Sequence, residues 1–180
     1  NFVKDVVNFL RQYGLDGVDI DWEYPAAFDR GGTPADEDNY VLLLSQMRQA
    51  FDREGAGWEI SIAIPSSYWY LKGFALERLQ RYVDYFNFMS YDIYGMWDRD
   101  NKWTGPYLKG HTDWSMIELG LDLLWRNGVE PKKVNMGFGF YGRSFTMENP
   151  SCFEPNGICK FSDGGNPGSC SNTKGVLTYE

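Results

Sequence analysis

The stretch Gly14-Leu15-Asp16-Gly17-Val18-Asp19-Ile20-Asp21-Trp22-Glu23-Tyr24-Pro25 constrains this chain more than any other. It places four acids within eight residues, yet Gly, Val, Ile and Trp stand between them. A solvated acidic loop has no use for β-branched and aromatic residues between its charges, whereas a strand does. Side chains alternate faces with period two along a strand. Asp19, Asp21 and Glu23 therefore project one way and Val18, Ile20 and Trp22 the other, while Asp16 has the wrong parity and sits beside Gly17 at the strand's start. Three carboxylates in a row on one face repel each other, so at least one must have a raised pKa or share a proton. Proteins keep such strain where they use it.

Around that strand the chain alternates. Phe2, Val3, Val6, Val7, Phe9 and Leu10 recur at helical spacing, and Gly14 follows where helices end. Residues 28–39 are polar and rich in Gly and Pro, hence a loop. Tyr40, Leu43, Leu44, Met47 and Phe51 form the stripe of a second helix over 40–53, stopped by Gly55 and Gly57. Residues 59–65 read as a strand, 66–70 as an aromatic loop and 74–81 as a short helix. Residues 83–91 read as a strand buried on both sides, 92–110 as a long loop, 115–127 as a helix and 133–140 as a fourth strand. Helices alternating with strands demand a parallel sheet with right-handed crossovers, either a barrel or an open doubly wound sheet. Acids at a strand's carboxyl end favour the (β/α)8 barrel, whose catalytic residues sit there.

The expected class is therefore α/β, a (β/α)8 TIM barrel. Only four strands are legible in 180 residues, where a complete barrel runs to ~250. Residues 1–149 are expected to be a partial catalytic barrel, about half of one. Residues 150–180 turn to Cys, Gly, Asn, Ser and Pro with little periodicity, the expected start of a Cys-rich insertion.

Composition narrows the partners. A net charge of -8 argues against nucleic acid or an anionic membrane, and no apolar run approaches the ~20 residues of a membrane helix. No basic segment with an apolar core opens these residues, so no signal peptide is visible. Aromatic residues reach 17%, and several (Tyr68-Trp69-Tyr70, Trp97, Trp103, Tyr107) lie beside glycines and acids, where rings in a groove stack on a ligand. Cys152, Cys159 and Cys170 are an odd, late cluster. A disulfide framework lacking its fourth member is one reading, and a zinc site the competing one, although the sole histidine, His111, is far along the chain.

At this point the motifs become specific. Asp16-x-x-Asp19-x-Asp21-x-Glu23 with Tyr24-Pro25 resembles the signature of family-18 glycoside hydrolases, the chitinase family, on its fourth barrel strand. Met89-Ser90-Tyr91-Asp92 with Gly95 and Trp97 resembles the sixth strand and its loop, and Gly137-Phe138-Gly139-Phe140-Tyr141-Gly142-Arg143 the seventh. The tail from Ser151-Cys152 to Cys170-Ser171 is similar to the insertion of a fungal branch of secreted chitinases related to yeast killer-toxin subunits. The family's first three strands and its eighth, with the Trp that floors the −1 sugar site, have no counterpart here.

The resemblance implies hydrolysis of β-1,4-linked N-acetylglucosamine polymers with retention, without metal or cofactor, in a secreted protein. Retaining glycosidases usually pair an acid with a carboxylate nucleophile, and this family is an exception that uses the substrate's own acetamide. Glu23, outermost on the strand, is the expected proton donor. Asp21 lies ~6–7 Å away along the strand and can share a proton with Asp19 or with Glu23. By resemblance the N-acetyl carbonyl closes to an oxazolinium ion, Asp21 holds the acetamide N–H and Tyr91 bonds its carbonyl side. Tyr24, Met89, Asp92, Trp97, Tyr141 and Arg143 are the expected substrate contacts.

Blander readings stand beside these. The row of acids also offers the hard oxygens that Mg²⁺ or Ca²⁺ prefers. Asp16 reads as an acceptor for backbone N–H groups, Trp69, Trp103 and Trp125 as packing, and His111 as an exposed loop residue. A chitin-binding lectin or toxin-delivery subunit without turnover, or an endo-β-N-acetylglucosaminidase acting on N-glycans, would carry similar residues. Strands at 15–23 and 133–140 would have open edges in a half barrel. The 180 residues made alone are therefore expected to be inactive and poorly soluble; a monomeric, cooperatively melting sample that cuts chitin oligomers would overturn this.

Overall fold

The computed structural model describes residues 1–179. In chain order its elements are α1 (Phe2–Tyr13), β1 (Gly17–Ile20), α2 (Asp36–Glu54), β2 (Glu59–Pro65), α3 (Tyr68–Leu71), α4 (Leu76–Leu79) and β3 (Tyr85–Met89). Then come β4 (Tyr107–Lys109), α5 (Trp114–Arg126), β5 (Val134–Met136), β6 (Gly142–Arg143), β7 (Phe145–Met147), β8 (Asn156–Gly164) and β9 (Val176–Leu177). They fall into two units. One gathers Asn1–Met89 with Glu118–Met136, the other Ser90–Ile117 with the chain from Gly137.

The first unit holds a parallel sheet in the order β1-β2-β3-β5. The parallel strands follow one another in chain order, with β4 belonging to another sheet, the progression of a barrel; a doubly wound sheet reverses its order at a switch point. One sheet face carries Ile60, Ile62, Ile64, Phe86 and Phe88, all buried with Val7 and Leu10 of α1 and Tyr40, Leu44, Met47 and Phe51 of α2. The other carries Asp19, Ser61, Ala63, Asn87 and Asn135, with Tyr85 and Met89 at the two ends of β3. Register aligns Asp19 with Ser61 and Asn87 with Asn135. β3 is thus not buried on both sides as expected: Phe86 and Phe88 are, but Tyr85, Asn87 and Met89 are only half-buried.

Local chemistry explains the boundaries. Asn1 caps α1 by accepting the Val3 N–H, and Gly14 ends it at a φ of 62°, a conformation that glycine adopts without strain. At Gly17 a Cβ would fall 2.2 Å from the Glu59 carbonyl oxygen, so only glycine lets β1 approach β2. The second helix starts at Asp36 and not at Tyr40. Its first turn is Asp36, Glu37 and Asp38, acids that favour a helix N-terminus electrostatically but contribute nothing to an apolar stripe. The aromatic loop after β2 curls into α3, because Ser67 accepts the Trp69 N–H as its cap. β5 stops at Met136, short of the expected Phe140; Phe138 and Phe140 face solvent.

Arg48 of α2 ties the strand starts together. Its guanidinium donates to the Tyr82 and Trp58 carbonyls, each at 3.1 Å, and to Asp84 at 2.5 Å. Asp84 in turn accepts the Ile60 N–H at 2.7 Å.

The second unit is antiparallel, with sheets β4-β8-β7 and β6-β9. Residues after 150 were expected to show little periodicity, and there the structure differs. β8 alternates, burying Cys159 and Phe161, and Phe161 packs on Phe145 of β7 at 4.7 Å. Glycines and short polar residues hid the alternation. Part of the long loop at 92–110 likewise becomes β4. Cys152 and Cys159 form a disulfide, and Cys170 is free and exposed. Among the described residues no helix is long and apolar enough to cross a membrane.

Gly120 of α5 supplies a test of packing against propensity. An added Cβ would meet Phe88 Cζ and the Ser66 carbonyl oxygen, both at 2.8 Å. Alanine gains about 1 kcal/mol of helix propensity, but overpacking costs about 1–3 kcal/mol. The clash wins: Gly120→Ala should lower the urea midpoint without changing the slope of the transition.

Candidate active site

The acidic row lies in the first unit. β1 ends at Ile20, so only Asp19 lies within the regular strand, a shorter element than the expected one. The alternation continues past it nonetheless. Asp19, Asp21 and Glu23 are exposed, while Val18, Ile20 and Trp22 are half-buried. Trp22 packs edge-on against Tyr40 of α2 at 5.1 Å.

Each acid has a different environment. Asp19 Oδ1 accepts the Ser61 hydroxyl at 2.5 Å and the Asn87 amide at 2.8 Å. Asn87 Oδ1 accepts the Asn135 amide at 3.3 Å, so a polar row crosses all four parallel strands. Sequence reasoning missed Ser61, Asn87 and Asn135. Their signal was a polar residue at inward parity inside an otherwise apolar strand, as in Ile60-Ser61-Ile62 and Phe86-Asn87-Phe88.

Asp21 is the member with the raised pKa expected of the row: burial, then the charges of Glu23 and Asp19, hold its proton to higher pH. Glu23 takes a hydrogen bond from the Tyr24 phenol, whose own pKa burial and this bond both push up. The Glu23–Tyr24 peptide is cis. The Tyr24 ring stacks on Tyr70 at 4.2 Å, the Arg30 guanidinium lies 5.9 Å and 5.8 Å from the two ring centres, and Tyr70 donates to Asp29 at 2.8 Å. Met89 closes β3, in register with Pro65. Asp16 reaches the sheet through its backbone carbonyl, which accepts the Glu59 N–H at 2.9 Å.

The other expected residues, Tyr91, Asp92, Trp97, Tyr141 and Arg143, gather in the second unit. Arg143 Nε and a terminal nitrogen both donate to Asp92 Oδ1, at 2.8 Å and 2.6 Å. Its guanidinium lies 5.0 Å from the Trp97 ring and 5.2 Å from Tyr141, within cation–π range. Burial and a hydrogen bond to Asp92 push the Tyr141 phenol up, and Tyr91 meets Tyr141 edge-on at 6.3 Å. Gly95 makes room for Trp97: a Cβ there would sit 2.3 Å from the indole. Asp98, buried, pins that loop by accepting the Gly95 N–H and the Thr104 hydroxyl.

Two expectations fail. His111 is not an exposed loop residue: its side chain is 12% accessible and both ring nitrogens have partners. Trp69, Trp103 and Trp125 are not packed away; they are 62%, 84% and 39% exposed, and Lys72 lies over the Trp69 ring at 4.1 Å. Sequence spacing says nothing about which rings the neighbouring segments cover. Among the described residues no three His, Cys, Asp or Glu side chains converge as metal ligands would.

An outermost carboxyl beside a phenol, flanked by an acid that holds its proton to higher pH, is an arrangement suited to proton transfer to a leaving group. The pattern of glycosyl hydrolases family 18 matches residues 1–180. The chain is 41% identical to the killer toxin subunits alpha/beta of Kluyveromyces lactis, over 98% of this chain and 15% of that protein. It is 35% identical to a secreted chitinase of Penicillium expansum, over 97% of this chain and 12% of that one. A mutant of Ostrinia furnacalis Group II chitinase catalytic domain 2, solved with penta-N-acetylchitooctaose, superposes with a TM-score of 0.81 at 27% identity, over 98% of this chain and 47% of that structure. The chain thus spans about half of that domain and a smaller part of the two relatives. Family and neighbours together make the fold of the TIM-barrel type, with mixed α/β content, and the chain belongs to glycosyl hydrolases family 18.

Proposed function

We propose that this chain carries the proton donor and part of the sugar-binding surface of a secreted chitinase that cuts β-1,4-linked N-acetylglucosamine polymers with retention. Residues 1–149 are read as half of the catalytic barrel and residues from 150 as the start of an inserted segment, with the remaining strands outside these residues. The observation that carries the reading is Asp21, its pKa raised by burial and by the charges of Glu23 and Asp19, beside an outermost Glu23 that accepts a phenol hydrogen bond.

In this mechanism Glu23 gives its proton to the glycosidic oxygen as the bond to the anomeric carbon breaks. The substrate's N-acetyl oxygen attacks that carbon and forms a cyclic oxazolinium ion, which accounts for retention without a carboxylate nucleophile. Asp21 accepts the acetamide N–H, and Asp19, held by Ser61 and Asn87, is the neighbour against which its proton is balanced. Water, deprotonated by the Glu23 carboxylate, then opens the ring. Tyr91 bonds the acetamide oxygen, Asp92, Tyr141 and Arg143 hold the −1 sugar, Met89 lines its pocket, Tyr24 positions Glu23, and Trp97 stacks on the leaving sugar.

A second reading has support in the likeness to killer toxin subunits: a sugar-gripping subunit that binds chitin without cutting it. The retained Glu23 favours hydrolysis. Full-length protein incubated with chitin oligosaccharides should yield shorter products, and Glu23→Gln should lose about 10²–10⁴-fold in rate. Equal product from both proteins would end the assignment, and oligomers bound but left whole would support the second reading.

Asp21→Asn separates stability from activity. An acid with a raised folded-state pKa lowers stability as pH climbs from its ordinary value, 3.8, through the raised one. The amide has no charge to lose. The variant should therefore unfold at higher urea than wild type at neutral pH, match it below 3.8, and lose turnover at both. Unchanged stability at neutral pH would remove both the burial and the like-charge strain of Asp21 from the account.

A further inference from the structure

We infer that His111 is a positioning residue, which holds the backbone of Asp92 and the carbonyl of Tyr141 and thereby sets the two side chains assigned above to the −1 sugar. The inference rests on that assignment for its functional meaning, while its geometry stands by itself.

His111 Nδ1 lies 3.2 Å from the Asp92 backbone nitrogen, and Nε2 lies 3.2 Å from the Tyr141 carbonyl oxygen. A backbone N–H only donates and a carbonyl only accepts. Nδ1 must then carry a lone pair and Nε2 the proton, the neutral ring in one defined tautomer. The ring also stacks on Tyr141, with centroids 5.1 Å apart. Gly139 lets it in: a Cβ there would meet His111 Cε1 at 3.1 Å, Tyr141 Cε1 at 3.2 Å and Tyr91 Cβ at 3.3 Å.

Asp92 needs such a hold. Its φ is 56°, a left-handed conformation that side-chain-bearing residues rarely adopt and that persists only when the surroundings over-determine it. The Ile93 N–H bonds the His111 carbonyl at 3.0 Å, so the same histidine grips both sides of the strained residue. No feature of Gly110-His111-Thr112 in the sequence announces this.

Its neighbours hold the ring in this tautomer. The groups facing the ring are the Asp92 carboxylate, 3.7 Å from Nδ1, the Arg143 guanidinium on that same Oδ1, and the Tyr141 phenol, bonded to Asp92. With the proton on Nδ1 instead, the ring could not accept the Asp92 N–H and would compete with Arg143 for Oδ1.

Two amides divide the role. His111→Asn would keep an acceptor near the Nδ1 position without titrating, whereas the longer side chain of His111→Gln reaches the Nε2 position and leaves Asp92 unheld. In the full-length protein, with chitin oligosaccharides as substrate, His111→Gln should raise KM about 3- to 10-fold, the worth of one hydrogen bond, with a smaller change in kcat. His111→Asn should raise KM less. Equal KM values for the two variants would overturn the inference. A second readout needs no activity: in ¹⁵N-histidine-labelled protein, His111 (identified by its loss in the variants) should show an unprotonated Nδ1 and a protonated Nε2 at neutral pH. The opposite tautomer would refute the positioning role, while a wild type that leaves the oligomers uncut would refute only the proposed function.

Discussion

Parallel pairing of β1 with β2 determines the parity of every side chain from Val18 to Trp22, because a slip of one residue would exchange the two faces of the strand. The register places Asp19 beside Ser61 and Ile20 beside Ile62. Burial of Ile60, Ile62 and Ile64 on the helix-covered face holds that choice with several kcal/mol of apolar area, since each side chain removed from water contributes roughly 1.5–3 kcal/mol. The acids are left on the opposite face, where their mutual repulsion is a smaller, local cost. A strand without the isoleucine neighbours would relieve the repulsion by turning its carboxylates apart. The core thus enforces the burial, and with it the crowding by Glu23 and Asp19, that raises the pKa of Asp21.

A different device organises the second unit. Asp92 sits in a left-handed conformation and is gripped by its carboxylate, through Arg143 and Tyr141, and by its backbone, through His111. Arg143 in turn lies within cation–π range of Trp97 and Tyr141. Here no stack of strands enforces position. A closed set of hydrogen bonds and ring contacts does so, with Gly95 and Gly139 removing the Cβ atoms that would otherwise block Trp97 and His111.

Secondary structure was legible wherever apolar spacing and local chemistry agreed. The helix ending at Gly14 and the strand over residues 59–65 came out with their expected bounds. Bounds moved where the deciding group was polar. Asp36 begins α2 ahead of the apolar stripe, and Ser67 caps a turn of helix in what read as a loop. β8 was illegible for another reason. Its alternation is written in Cys159 and Phe161 alone, and it becomes a strand by pairing with β7, the strand before it, and with β4, which is remote in sequence.

The residues by themselves determined the alternating acids, the parallel sheet and the family, because these follow from periodicities of two and 3.6 residues and from short motifs. Tertiary structure alone decided which acid carries the raised pKa, which polar groups hold Asp19, and that His111 faces inward. Those outcomes depend on partners far along the chain: Asn87 lies 68 residues from Asp19, and Tyr141 30 residues from His111. Burial and hydrogen bonding act through distance in space, and local spacing in a sequence does not encode that distance.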